Sequence, residues 1–414
     1  MPEATDSGFA AVLRRLRTER DMSLRELARV AYYGKSYLHE LETGVKQPTP
    51  QAARRLDDAL GAGGELVAMA ATGMRRREVI ARAGLAVALP QTILSHGRRV
   101  GAEVPHQIAA RTARLRRLDD YLGGADTFAM YAAELDSTLR LLRDGSYPDT
   151  TGRALLSVFA EQAQMAGWAA FDAGRYGDAE QMYRTSLAVA HDAGNPSLAG
   201  NAMVFLAYQE LALGRSGTDT IAAACDIAEA AATPAVRALL HLRRAWIHAV
   251  NGQADDTERL LALAETCLTE QDDRPEPDWV YWVDRREAEI MTGRCWAVLR
   301  RPVRAIAVLE AVLGRYEDTH ARDKALYLSW LADAYLDANE VEQGCTVAER
   351  AVRLSADVGS IRPGQRIEAF VGRLGPYTAM PCVTRLRGLV SDQTRRRRTR
   401  TANSDRPEIP PRSG

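Results

Sequence analysis

Apolar residues return at helical intervals between Ser23 and Leu60, and two short helices separated by a tight turn follow from that pattern. Ser23 with Glu26 three residues on reads as a capping box. Leu24, Leu27, Ala28 and Ala31 supply one apolar face, so the first helix begins at Ser23. A turn is expected over Tyr32 to Gly34. The second helix opens at Gly34 or Lys35 with Leu38 and Leu41 turned toward the first, which leaves Lys35, Ser36, Tyr37, His39 and Glu40 on or near an outer face.

From Gly101 onward the chain reads as helix after helix, rich in Ala and Leu, with breaks at Gly174, Gly214, Gly252 and Asn339. The breaks recur near every ~40 residues, the range of stacked helical hairpins. The best copy is Ala163 to Ala188, marked by Gly167, Gly174, Tyr176, Ala179, Tyr183 and Leu187. Fainter copies run near Met203 to Ala230, His241 to Leu268, Arg286 to Leu313 and Leu328 to Val352. The polar, proline-bearing stretch Gln271 to Asp278 lengthens the interval before the fourth, and one or two further helix pairs fit Pro105 to Arg143. The expected fold is all-α: a helix-turn-helix bundle over 1–70, a linker helix over 71–104 and an α-solenoid over 105–380. A disordered basic tail is expected over 381–414, where Arg395-Arg396-Arg397-Arg398-Thr399-Arg400 stands before a polar end.

A stack of this kind lines its concave surface with the first helix of each pair, and such surfaces bind partners. The repeat register places Glu161, Gln164, Trp168, Asn201, Tyr208, Trp246, Glu287, Arg294 and Asp333 inward. Gln164, Trp168, Asn201, Tyr208, Trp246 and Arg294 are the ligand-binding candidates, because amides clamp a peptide backbone and aromatics stack on apolar groups. Trp168 and Trp246 also read as ordinary packing between helices.

Two short helices across a tight turn suit the DNA major groove, with helix ends and basic side chains on phosphates and a few side chains on base edges. Lys35 can donate to guanine O6 or N7, Ser36 and His39 can make context-dependent contacts, and Glu40 can accept from cytosine N4, with Tyr37 beside them. Arg25, Thr43 and Lys46 sit at the ends of the helix pair, suited to phosphates.

The residues Ser23-Leu24-Arg25-Glu26-Leu27-Ala28, Lys35-Ser36-Tyr37-Leu38, Leu41-Glu42-Thr43-Gly44, Pro48 and Leu56 to Gly61 resemble the Cro/C1-type helix-turn-helix domain of the XRE family of transcription regulators, over roughly Phe9 to Leu60. The resemblance implies a structural pair between Arg17 and Glu42. Tyr32 stands where the family usually has Gly, and Gly34 where it usually has a Ser or Thr cap. The C-terminal part resembles a divergent tetratricopeptide array. The combination is similar to the peptide-responsive quorum-sensing regulators and, more closely, to a large set of actinomycete regulators. That likeness rests on Leu118 to Asp126 and Ala166 to Gly174. It implies a regulator of development or secondary metabolism. By analogy, a peptide, small-molecule or protein signal acts through the geometry of a homodimer on operator DNA. The alternative is a tetratricopeptide adaptor that no longer reads DNA.

Composition narrows the classes without choosing among them. The 414 residues are 46% hydrophobic and 26% charged with a net charge of zero, so DNA affinity rests on local clustering: Arg14, Arg15, Arg17, Arg20, Arg25, Arg29, Lys35 and Lys46. Cys225, Cys267, Cys295, Cys345 and Cys382 are widely spaced and form no C-x-x-C pair, which points to thiols in a reducing cytoplasm. No segment reaches the ~18 apolar residues of a membrane span.

Gly34-Lys35-Ser36 lacks the earlier glycine and the strand of a phosphate loop, since Arg29 stands five residues before Gly34. Met74 to Ile80 with the apolar run to Pro90 imitates a twin-arginine signal but follows a complete domain. It reads as a linker helix burying Val79, Ile80, Leu85 and Leu89. There is no G-x-S-x-G, H-E-x-x-H or dinucleotide fingerprint, and His241 with His248 has no third ligand. Neither catalysis nor a cofactor or metal is expected.

Overall fold

The computed structural model describes residues 9–46, 48–62, 66, 99–119, 121–356 and 358–404, and these hold eighteen α-helices and no strand. The chain forms two compact units, Met1–Leu85 and Ala86–Gly414.

In the first unit, α1 (Phe9–Glu19), α2 (Leu24–Ala31), α3 (Lys35–Glu42) and α4 (Pro50–Leu60) enclose a core that includes Leu13, Leu16, Leu27, Leu38, Leu41, Leu56 and Leu60. Ser23 caps α2 as its sequence demands: its hydroxyl accepts from Glu26 N (3.2 Å) and the Glu26 carboxylate accepts from Ser23 N (2.7 Å). Because those bonds favour the ionised carboxylate, the Glu26 pKa lies below the usual range. The turn is made by Tyr32, which holds φ +58° and ψ +44° at the end of α2. That left-handed conformation favours glycine, and here a tyrosine adopts it. Gly34 precedes α3 with an ordinary extended backbone, so α3 starts without a side-chain cap.

In the second unit, α5 (Glu103–Arg116) and α6 (Gly124–Asp144) precede five consecutive hairpins: α7 (Asp149–Asp172) with α8 (Tyr176–Asp192), α9 (Pro196–Ala212) with α10 (Thr218–Ala228), α11 (Pro234–Val250) with α12 (Ala254–Cys267), α13 (Arg285–Val298) with α14 (Pro302–Gly314), and α15 (Ala321–Asp337) with α16 (Val341–Leu354). The first helices, α7, α9, α11, α13 and α15, pack one on the next as an inner row that α17 (Arg362–Arg373) continues.

All five hairpins turn in the same way. A residue with positive φ ends the first helix, at Gly174, Gly214, Gly252, Arg300 and Asn339. The next amide then reaches back to a carbonyl five residues earlier, as Arg175 N does to Ala170 O at 2.8 Å and Glu340 N to Tyr335 O at 2.9 Å. Gly167 serves close packing instead. A Cβ there would lie 2.5 Å from the Tyr183 ring, so its absence lets α8 close on α7.

The stack is tied back on itself. Asp172, fully buried at the end of α7, accepts from Gly124 N (2.8 Å), Ser360 Oγ (2.8 Å) and Arg362 Nε (2.6 Å). Ala125 N bonds Gly359 O (2.9 Å), and Arg322 on α15 bonds the Asp119 carboxylate (2.7 Å).

Two boundaries differ from the sequence expectation. Of the disordered tail expected over 381–414, Pro381–Ser404 form α18, and 405–414 lie outside the described residues. Val383 and Leu386 are buried in the core, Arg385 pairs with Glu349 (2.6 Å) and Gln393 bonds Val352 O (3.1 Å), so an apolar helical face runs directly into the arginine-rich stretch. The linker helix with Val79, Ile80, Leu85 and Leu89 lies outside the described residues, and Glu103 and Val104 belong to α5. All five cysteines are buried free thiols. Among the described residues no helix is long and apolar enough to cross a membrane.

Candidate functional site

The first candidate surface is the outer face of α3. Leu38 and Leu41 anchor its inner side, and the buried Glu42 accepts from Arg17 Nε (2.6 Å) and Nη2 (3.1 Å). Arg17 Nη1 also donates to Met22 O (2.8 Å), and Arg14 Nη2 to Glu42 O (2.9 Å), so α1 grips the end of α3. The hydrogen bond to Glu42 raises the Arg17 pKa.

With the inner face fixed in this way, Lys35, Ser36 and His39 stand exposed on α3, and Arg25 on α2. The remaining candidates are partly engaged. Tyr37 is half-buried, its ring centroid 5.2 Å from that of Tyr33, and Lys46 Nζ lies 5.4 Å from its ring. Lys46 also bonds the Glu40 carboxylate at 3.2 Å. The Thr43 hydroxyl donates to His39 O (2.8 Å), so its proton is committed within the helix, and the phosphate contact expected of it lacks a free donor.

The second candidate is a cavity of about 420 Å³ in the C-terminal unit, lined from the inner-row helices α7, α9, α11, α13, α15 and α17 and by the segment 279–282. Gln164, Trp168, Asn201, Tyr208 and Arg294 line it, as do Glu161 and Glu287. Two of the sequence candidates require correction. Trp246 does not line the cavity: it is buried, 5.2 Å edge-to-face from Trp330, and its ring lies 4.5 Å from the Arg294 guanidinium. Gln164 does line it, but its amide donates to Ser186 Oγ (2.9 Å) and Leu198 O (2.9 Å) and accepts from Asn201 (2.6 Å), leaving no donor with which to clamp a peptide. Asp333, also expected inward, is absent from the lining and pairs with Arg366 and Arg373.

Three groups of lining residues escaped the sequence register. Asp119 and Arg322 arrive through the closure of the stack, as does Arg362. Arg243 lies one helical turn from Leu239 on α11 and bonds Glu287 (3.0 Å). Tyr281 and Trp282 follow the proline-bearing stretch, and the aromatic run from Trp279 was the visible signal for them.

Burial and the arginines set the protonation of this cavity. Burial raises the Tyr208 phenol, but Arg294, Arg362 and Arg243 outweigh it and bring its pKa down to about 8. Burial pushes the Asp119 carboxyl up to about 6 against the pull of Arg322, and raises Glu287 despite Arg243. No group of three or more His, Cys, Asp or Glu side chains able to hold a metal occurs among the described residues.

The helix-turn-helix domain family matches residues 9–70, the span that holds α1 to α4. No curated protein matches the chain.

Proposed function

We propose that this chain is a sequence-specific DNA-binding transcription regulator whose C-terminal helical array, of tetratricopeptide-like character, mediates homodimerisation and senses a signal. The observation that carries the reading is α3, held by the Arg17–Glu42 pair with Lys35, Ser36 and His39 exposed on its outer face. Arg25 and Lys46 serve phosphates, while Lys35, Ser36, His39 and Glu40 meet base edges, each good contact being worth about 1–3 kcal/mol of discrimination. A dimer spans half-sites about one DNA turn apart, ~34–36 Å, so a signal that alters domain separation alters affinity. The cavity supports a small molecule as that signal over an extended peptide, because its volume falls in the range of small-molecule sites and Gln164 is already committed. The actinomycete likeness supports a role in development or secondary metabolism.

The test is selection of genomic DNA fragments by the full-length protein and by the Lys35→Ala/Ser36→Ala variant at one fixed salt concentration. Enrichment of an inverted repeat by the wild type alone supports the reading. Equal enrichment by both overturns the assignment of Lys35 and Ser36, and enrichment by neither favours an adaptor. Light scattering at micromolar concentration tests the dimer, with a monomer mass both free and on DNA as the contrary result.

A further inference from the structure

We infer that the cavity of the C-terminal unit is a binding site for a planar organic acid carrying a single negative charge, with Arg294 as its anion anchor. This inference rests on the reading of the array as the signal-sensing part and names the chemistry of the signal.

The starting point is a charge that lacks a counter-charge. Arg294 is only 4% exposed, lines the cavity and has no carboxylate within 4 Å among the described residues. Its Nη2 donates to Tyr208 OH (3.0 Å), its Nη1 meets only the Met291 sulfur (3.2 Å), and its buried Nε has no acceptor. The ring of Trp246 at 4.5 Å supports the cation from one side but offers no negative charge. Glu287, on the same helix as Arg294, bonds Arg243 instead. A buried charge is tolerated when it is paired and hydrogen-bonded, and a ligand acid group meets that requirement at Arg294.

The lining also limits the ligand. Of the six lining arginines, Arg362 has Asp172 and Arg243 has Glu287, which leaves Arg294 as the buried one without a carboxylate among the described residues. Arg322 is taken by Asp119 and Asp323, and Arg116 by Glu161 and Asp278. A second negative charge on the ligand would meet Asp323 and Glu287, while the remaining lining arginine, Arg286, is half exposed and stands 3.9 Å from Asp284; this disfavours phosphate esters and dicarboxylates. Around this polar patch Trp168, Phe205, Trp282, Leu326 and Tyr327 supply flat apolar surface, the setting for an aromatic or fused-ring body.

The experiment compares two fluorescent probes of similar ring framework on the full-length protein at neutral pH: 8-anilinonaphthalene-1-sulfonate, a monoanion, and N-phenyl-1-naphthylamine, which is neutral. The expected result is one sulfonate per chain, bound at least about tenfold tighter than the neutral amine, the worth of one hydrogen bond to a charged group. Arg294→Gln removes that preference by weakening the sulfonate alone, and Arg294→Lys restores part of it. Equal affinities of wild type for the two probes overturn the proposal without recourse to any variant, as does a loss in Arg294→Gln that is the same for both. Repeating the titration of the selected DNA fragment with saturating sulfonate separates the two readings: sulfonate bound through Arg294 with unchanged DNA affinity supports the site and removes its signalling role.

Discussion

Arg362 Nε stands 2.6 Å from Asp172 Oδ1 across 190 positions of sequence, and this contact joins α17 to the end of α7. Asp172 is the hub of that closure. It is fully buried and accepts three hydrogen bonds, and although burial works to raise its pKa, Arg362 and Arg322 hold it below the usual carboxylate range.

Asp172→Asn leaves Arg362 without its counter-charge in a buried setting. Removing one partner of such a pair costs about 3–5 kcal/mol. Urea unfolding followed by near-ultraviolet circular dichroism should show a midpoint lowered accordingly, and an unchanged midpoint would count against the closure as a stabilising element.

The second acid of the closure responds to pH in the opposite sense. Asp119 titrates near pH 6 when folded, against 3.8 for an unperturbed aspartate, so between these values the folded chain holds a proton that the unfolded chain has lost. Its contribution to stability is therefore fully present below about pH 4 and is lost as pH rises through about 6. The difference in unfolding temperature between wild type and Asp119→Asn should shift in disfavour of the wild type from pH 4.5 to pH 7. A difference independent of pH would contradict the raised pKa.

In the N-terminal unit, Glu42→Gln weakens the grip of α1 on α3 by removing the charge that Arg17 meets with two nitrogens. Because Glu42 is 3% exposed, this pair is worth more than a surface salt bridge, and a loss of about 2–4 kcal/mol is expected. A double-mutant cycle with Arg17→Met measures it, a coupling near zero being the contrary outcome.

Tyr32→Gly should stabilise the same unit. Tyr32 holds φ +58° with a side chain 83% exposed, so the substitution relieves a left-handed backbone at little cost in packing. A gain of about 0.5–1 kcal/mol is expected from the strain relieved less the added freedom of the unfolded chain. A fall in unfolding temperature would show instead that the tyrosine ring contributes to the turn.

Local rules carried the sequence reading furthest where one residue dictates its own surroundings. The capping box at Ser23, the left-handed glycines at Gly174, Gly214 and Gly252, and Asn339 were all legible because each solves a backbone problem within a few residues. The fourth hairpin turn was not. It uses Arg300 at φ +56°, and an arginine carries no turn signal, so the ~40-residue period showed a gap there. The helical start of the expected tail was missed for a similar reason: composition dominated by arginine hid the apolar face of Val383 and Leu386, whose burial depends on packing against α16 and α17.

Hydrophobic period and capping act over short distances, so the helices, their hairpin breaks and the polar outer face of α3 were already written in the order of the residues. The Arg17–Glu42 pair was legible through the family resemblance, but which arginines of the C-terminal unit have carboxylates was settled only by folding. The return of the stack delivers Asp119 to Arg322 and Asp172 to Arg362, commits Gln164 to Ser186 and Asn201, and leaves Arg294 buried without a counter-charge. Charge pairing falls steeply with distance through space and is indifferent to separation along the chain, so no spacing in the sequence revealed these long-range pairs.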